Sequence, residues 1–249
     1  MQPSPNSPGY PNPSPGSRPL SRQEEREVRD LLAAEQRLRC QLAVRDAHYW
    51  LTECTETKDE QDKINPYKPF PRLPYLPYVL DVLDYEPISF HEKSRTMMMS
   101  WIVSGWAAHM AFTHPATCVV FQSEDEDRAV HDVMYAKTLW QRSLPGLREA
   151  WPLSKPLEKQ PYNEFNLANG SRLLGIPGNP DKIRSEHPTV VVLDEAAHIT
   201  EGEKSYNVAA ATRCLHLVCL SSANPGWFRE ATEFATPVDW PEYREVTNA

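Results

Sequence analysis

Residues 189–193, Thr-Val-Val-Val-Leu, run directly into two adjacent acids, Asp194 and Glu195. An apolar run this short and this continuous suits a strand buried on both faces of a parallel sheet, since neither side of it meets water. Open α/β sheets bind their ligands outside the carboxyl ends of the strands, which is where these two carboxylates stand. The strand alone leaves two readings open. The acids are either the working end of a cation and water site, or solvated side chains that close a core strand.

The surrounding chain supplies the alternation that such a sheet needs. Short strands are expected at 88–91, 117–122 and 215–220, and helices at 100–112, 124–144 (with Ser123 as its cap) and 204–212. Residues 162–167 and 172–176, joined through Asn169-Gly170, read as a hairpin. Strands alternating with helices predict an α/β fold with a mostly parallel sheet and helices on both faces. Before it, Ser21 and Glu24 form a capping box that opens a long helix over 21–56, with Leu31, Leu32, Leu38, Leu42 and Trp50 on one face. The prolines at 66, 69 and 71 force an extended passage, and a short helix follows at 75–85. Seven of the chain's 24 prolines fall in residues 1–20, which reads as a disordered tail. The division expected is therefore a tail over 1–20, a helical lid over 21–61 and a nucleotide-type α/β domain over 62–249.

Composition narrows the classes. With 26 Lys+Arg against 34 Asp+Glu the net charge is −8, so a broad duplex-coating surface is not expected and any DNA contact has to be local. The five cysteines lack C-x-x-C spacing, which argues against a disulfide framework or a zinc ribbon. Cys214, His216 and Cys219 lie on an apolar strand and read as core rather than as metal ligands. No apolar run is long enough for a membrane helix, and the first residues do not form a signal peptide.

An α/β site with acids at a strand end needs a phosphate-cradling loop elsewhere. Between the strand at 88–91 and the helix at 100–112 lies Lys93-Ser94-Arg95-Thr96-Met97-Met98-Met99-Ser100. It has the length of a G-x-x-x-x-G-K-[ST] loop and keeps the final hydroxyl, but its lysine comes first and it contains no glycine. Backbone N–H groups at the helix start can face phosphate, and Ser100 can enter a Mg²⁺ shell. Read by itself, the segment is equally a basic turn ahead of a Met/Trp core helix.

Taken together, the segments resemble one family. Residues 92–101 resemble the deviant Walker A loop of large terminase subunits of tailed bacteriophages, in which the lysine stands at the front. Residues 191–198 are similar to that family's Walker B, and Leu220-Ser221-Ser222-Ala223-Asn224-Pro225 to its coupling motif. The resemblance runs in order over roughly 46–228. It implies a P-loop NTPase of the RecA/ASCE type with ATP and Mg²⁺ as ligands. Lys93 and Arg95 would neutralise phosphates within an ATP-binding stretch made of Lys93, Ser94, Arg95, Thr96, Met97, Met98, Met99 and Ser100. Ser100 and Asp194 would hold Mg²⁺, and Glu195 would activate water. Ser221, Ser222 and Asn224 would couple hydrolysis to movement, and Pro69, Phe70 and Pro71 would lie toward the adenine. Arg128, Arg142 and Arg148 are candidates for an arginine acting across a subunit boundary. The partners implied are double-stranded DNA, a portal protein and a small terminase subunit, in a homo-oligomeric ring in the cytoplasm of an infected bacterium, with no membrane. The family's nuclease domain is not expected in the residues after Asn224. Two other readings stay open: an ATPase-like docking module with weak catalysis, and a fragment of a DEAD/DEAH-like helicase, for which Asp194-Glu195-Ala196-Ala197-His198 and Ser222-Ala223 speak.

Overall fold

The computed structural model describes residues 21–94 and 97–236. The expected N-terminal tail, Arg95 and Thr96 lie outside the described residues. The chain divides into two units, Met1–Leu38 and Arg39–Ala249. In the first, the described residues form helix, the start of α1 (Arg22–Arg45). Its opening follows the predicted capping box: the Glu24 N–H donates to Ser21 Oγ and the Ser21 N–H to Glu24 Oε2.

The second unit holds everything else. The long helix expected over 21–56 is interrupted at Asp46, which takes an extended backbone and caps α2 (Ala47–Cys54) by accepting from the Tyr49 N–H. The side-chain oxygen of an aspartate satisfies an orphan N–H of a new helix better than it fits inside an old one, so the helix restarts there. Of the predicted apolar face, Trp50 is fully buried while Leu42 stays exposed. The extended passage becomes a small antiparallel pair, β1 (Glu56–Lys58) with β2 (Tyr67–Pro69), and leads into α3 (Leu76–Tyr85).

From there the α/β alternation follows the sequence. β3 (Ile88–Glu92), α4 (Met99–Thr113), β4 (Cys118–Gln122), α5 (Glu126–Gln141) and α6 (Pro145–Ala150) come first. β5 (Glu164–Asn166), β6 (Arg172–Ile176), α7 (Pro180–Glu186), β7 (Val190–Leu193), α8 (Gly202–Ala211), β8 (His216–Ser221) and α9 (Trp227–Phe234) complete it. Six strands form one sheet in the order β3-β8-β7-β4-β6-β5. All its pairings are parallel except β5 with β6, the hairpin read from Asn169-Gly170. Gly170 sits at φ 85°, a conformation that the turn requires and a Cβ would oppose. The cap of α5 is Asp125, accepting from the Arg128 N–H, and not Ser123 as the sequence suggested. The chain leaves β4 two residues further before turning, and the nearer acid then reaches the N–H.

Strand side chains alternate between two cores. On one face Val119, Phe121, Val190, Val192, Val218 and Leu220 pack with α4 and α5, with Trp50, Phe112 and Trp151 at the centre. Trp50 meets Phe112 edge-on at 5.5 Å, and its indole N–H donates to Ser143 Oγ at 2.9 Å. On the other face Val120, Val191, Leu193, Leu217 and Cys219 pack with Ile183 of α7 and Val208 and Ala209 of α8. The buried run at 190–193 is thus apolar on both sides because both sides are covered.

Candidate functional site

The parallel strands point their carboxyl ends the same way, so the loops after β3, β7 and β8 meet. Two segments about a hundred residues apart in sequence meet at one ammonium. Lys93 Nζ lies 2.5 Å from Asp194 Oδ1, 3.1 Å from Ser100 Oγ and 3.4 Å from Glu195 Oε1. Ser100 Oγ donates in turn to Asp194 Oδ2 at 3.1 Å. The backbone fixes the members of this cluster. The Lys93 N–H donates to Ser221 O, extending the β3–β8 ladder, and the Asp194 N–H donates to Gln122 O, extending β7–β4. Ser100 sits on the first turn of α4.

Glu195 adopts φ 51°, a left-handed conformation uncommon for a residue with a side chain, of the kind that clusters at functional sites. Its Oε2 accepts from both the N–H and the hydroxyl of Ser222, at 3.1 and 3.0 Å. Burial works against the Glu195 carboxylate, but the Ser222 hydrogen bonds and the Lys93 charge outweigh it and hold its pKa below the ordinary value. For Lys93 burial likewise opposes charge, and Asp194 and Glu195 raise its pKa nonetheless. Glu195 is therefore ionised and Lys93 protonated at neutral pH.

Beside the cluster opens a cleft of about 630 Å³ lined by Lys93, Ser94, Met98, Met99, Ser100, Glu195 and Ser222 on its inner side. Its outer wall is the β1–β2 hairpin, with Thr57, Lys58, Lys68, Pro69 and Pro71. A stacked pair, Trp101 on Tyr135 with ring centroids 4.3 Å apart, forms an aromatic wall. The size suits a small-molecule ligand, and the lining mixes Lys58, Lys68 and Lys93 with the acids Asp59, Glu60 and Glu195 and with flat apolar surface.

The donor set also bears on a metal. Ser100 Oγ and the carboxylates of Asp194 and Glu195 are all hard oxygen donors, and the Lys93 ammonium already stands among them as a positive charge. Oxygen donors of this kind suit a hard divalent cation such as Mg²⁺, and Ser100 and Asp194 are the two that are bonded directly to each other.

The remaining residues singled out from sequence are distributed as follows. Pro69 and Pro71 line the cleft, whereas Phe70 between them turns into the core and is 2 % exposed. Met98, where a phosphate loop would carry glycine, takes φ 52° as the residue before α4. Met97 turns its carbonyl to the Tyr75 hydroxyl. Ser221 Oγ accepts from the Ala197 N–H, and Asn224 Nδ2 donates to Ala197 O, so both clamp the turn after Glu195 rather than the cleft. Arg128 pairs with Glu124 and Asp125, Arg142 lies 3.3 Å over the Tyr67 ring, and Arg148 donates to Gln141 O. None of these three arginines is among the residues lining the cleft.

Of the outer wall the sequence reading missed Thr57, Lys58 and Lys68, and across from it Tyr135. It also missed Asp132, one turn before Tyr135 on the buried face of α5. An acid on the apolar side of an amphipathic helix was the available signal.

No family model matches the chain, and no curated protein matches it. Solved structures do. The large terminase of bacteriophage HK97 is similar at a TM-score of 0.52 and 12% identity, over 72% of this chain and 37% of that one. A point mutant of the large terminase ATPase domain of Thermus phage P74-26 is similar at a TM-score of 0.42 and 16% identity, over 61% of this chain and 72% of that one. The HK97 likeness establishes a shared fold. This chain spans little more than a third of that protein's length.

Proposed function

We propose that the chain is the ATPase motor domain of a large terminase, hydrolysing Mg-ATP in the cleft to move double-stranded DNA into a procapsid. One observation carries this reading. Lys93, Ser100, Asp194 and Glu195, brought by β3, α4 and β7, form a single hydrogen-bonded cluster at the carboxyl edge of the sheet, beside a ligand-sized cleft. The fold shared with the HK97 large terminase supports it.

In this reading the phosphates enter along the 93–100 loop and the start of α4, whose N–H groups favour anions. Lys93 exchanges its carboxylate partners for phosphate oxygens. Ser100 and Asp194 hold Mg²⁺, which when bound offsets phosphate charge. Glu195, ionised and fixed by Ser222, accepts a hydrogen bond from the attacking water and orients it. The aromatic pair Trp101–Tyr135 and the prolines of the hairpin leave flat surface for the base. Because Glu195 is bonded to Ser222, any change of charge at Glu195 is felt first by the segment that follows β8. Ser221 and Asn224 tie the same segment to the turn after Glu195, which gives hydrolysis a mechanical outlet. DNA, a portal, a small subunit and a ring of identical chains are the partners of such a motor. An arginine from a neighbouring subunit would complete the site, since Arg128, Arg142 and Arg148 stand away from this chain's own cleft.

The test is Glu195→Gln. We expect steady-state ATP hydrolysis to fall by roughly 10²-fold or more, with binding of a fluorescent ATP analogue retained. Turnover within a few-fold of the parent chain excludes Glu195 from this role.

A further inference from the structure

Two buried polar groups near Asp194 have no use in the chemistry above. Ser123 follows the last residue of β4 and is fully buried, and its hydroxyl has no hydrogen-bond partner among the described residues. With Asp125 capping α5, it is not held there as a cap. Asp132 is 2 % exposed, and its Oδ2 is likewise without a partner among them.

The sheet places both beside the cluster. Gln122 is in register with Leu193, so the next residues along the two strands, Ser123 and Asp194, are neighbours. Phe121 and Val192 face the core under α4 and α5, whereas Leu193 faces the opposite one. Strand alternation then returns Ser123 and Asp194 to the first face. Asp132 reaches that face from α5, close enough for the charges of Asp194, Lys93 and Glu195 all to act on it. Burial, and next the repulsion of Asp194, push its pKa well above the ordinary carboxylate range. A buried oxygen without a partner is destabilising, and native structures keep few of them. Ser123 at the end of β4 next to Asp194, and Asp132 on α5 within reach of its charge, amount to unused hydrogen-bonding capacity at the one place where a cation would bring its own shell.

We propose that Ser123 and Asp132 are positioning residues of the divalent-cation site, supporting from behind Asp194 the outer hydrogen-bonding sphere of a cation held by Ser100 and Asp194. This rests on the reading of the cleft as a Mg-nucleotide site. Mg²⁺ keeps much of its hydration when protein-bound, so residues that orient that hydration govern affinity without touching the metal.

The experiment is a Mn²⁺ titration, followed by electron paramagnetic resonance, of the full chain with a non-hydrolysable ATP analogue. The parent, Ser123→Ala and Asp132→Asn are compared, each with its melting temperature. We expect Mn²⁺ affinity to fall by about tenfold in Asp132→Asn and several-fold in Ser123→Ala. Asp132→Asn should melt no lower than the parent, because it removes a buried acid without changing shape. Affinities within about twofold of the parent in both variants overturn the proposal. So does a loss in Asp132→Asn matched by a lower melting temperature, which marks a packing role. If the parent itself takes up no Mn²⁺ with the analogue, the nucleotide reading of the cleft falls first. A parent that binds, with unchanged variants, removes only Ser123 and Asp132.

Discussion

Met98 shows how a loop without glycine can still make the turn that glycine usually makes. Its φ of 52° lies in the left-handed region, where an L-residue is disfavoured by roughly 1–2 kcal/mol. Met98→Gly relieves this strain but adds unfolded-state entropy of about 0.5–1 kcal/mol, so a net gain of about 0–1.5 kcal/mol is expected. Met98→Val places a β-branched side chain at positive φ, and a loss of at least roughly 1 kcal/mol is expected. Urea unfolding of the three chains measures both. A stable valine variant would show that the loop relaxes out of this conformation at little cost. The residue scale also explains why a search for G-x-x-x-x-G-K-[ST] passes over this loop. The lysine at its front still reaches the same carboxylates, because β3 delivers Lys93 to the end of the sheet beside Ser221.

At the scale of elements, the site depends on how closely α5 lies on the sheet. Gly175 of β6 makes this possible: a Cβ there would stand 2.8 Å from the Ala129 backbone carbonyl carbon and oxygen, and 3.0 Å from Val130 N. Backbone of a packed helix cannot yield as a side-chain tip can. Gly175→Ala is therefore expected to destabilise by about 1–3 kcal/mol in denaturant unfolding. It should also weaken nucleotide binding, because Asp132 and Tyr135 ride on the same helix. An unchanged unfolding midpoint would mean that α5 is free to lift. Much of this architecture was legible in advance. The two-sided apolar run at 190–193, the alternation of strand and helix, and Asn169-Gly170 as a turn each follow from periodicity or backbone chemistry. The acids at 194 and 195 were legible as a strand end, and the 93–100 loop by its length and final hydroxyl. What was not legible depends on tertiary register. Ser123 looked like a helix cap because its sequence neighbours are a helix, and the distance the chain runs past β4 decides otherwise. The β1–β2 pair has only three residues a side, with Pro69 inside β2 and Pro66 and Pro71 flanking it, too little for a period-two pattern to show. Phe70 sits between two cleft-lining prolines and turns inward, which spacing cannot reveal.

For the whole molecule, ligand binding and stability are linked. A ligand that binds the folded chain alone stabilises it by about 2.7 kcal/mol at a hundredfold excess over its Kd. For a domain of this size that corresponds to a rise in Tm on the order of 5–10 °C. We expect a non-hydrolysable ATP analogue with Mg²⁺ to produce such a rise in differential scanning calorimetry, and EDTA to remove most of it. Lys93→Ala should abolish the rise, and a rise preserved in that variant would place the nucleotide elsewhere. Among the described residues no helix is long and apolar enough to cross a membrane. The net charge of −8 leaves any grip on DNA to a few local cations, so its salt dependence should be shallow.

The seat of Lys93 has a consequence for the order of events. The single ammonium is already engaged by the carboxylates of Asp194 and Glu195, so this end of the cleft holds no unpaired positive charge from Lys93. A phosphate entering it does not fall into a waiting positive well. It would have to break an internal ion pair first, and the apparent affinity would be the intrinsic one reduced by that separation. When the phosphate leaves, the pair closes again and nothing external is needed to reset it. In the proposed nucleotide reading the contact would act as a spring: each occupancy would load it, and its recoil would favour release.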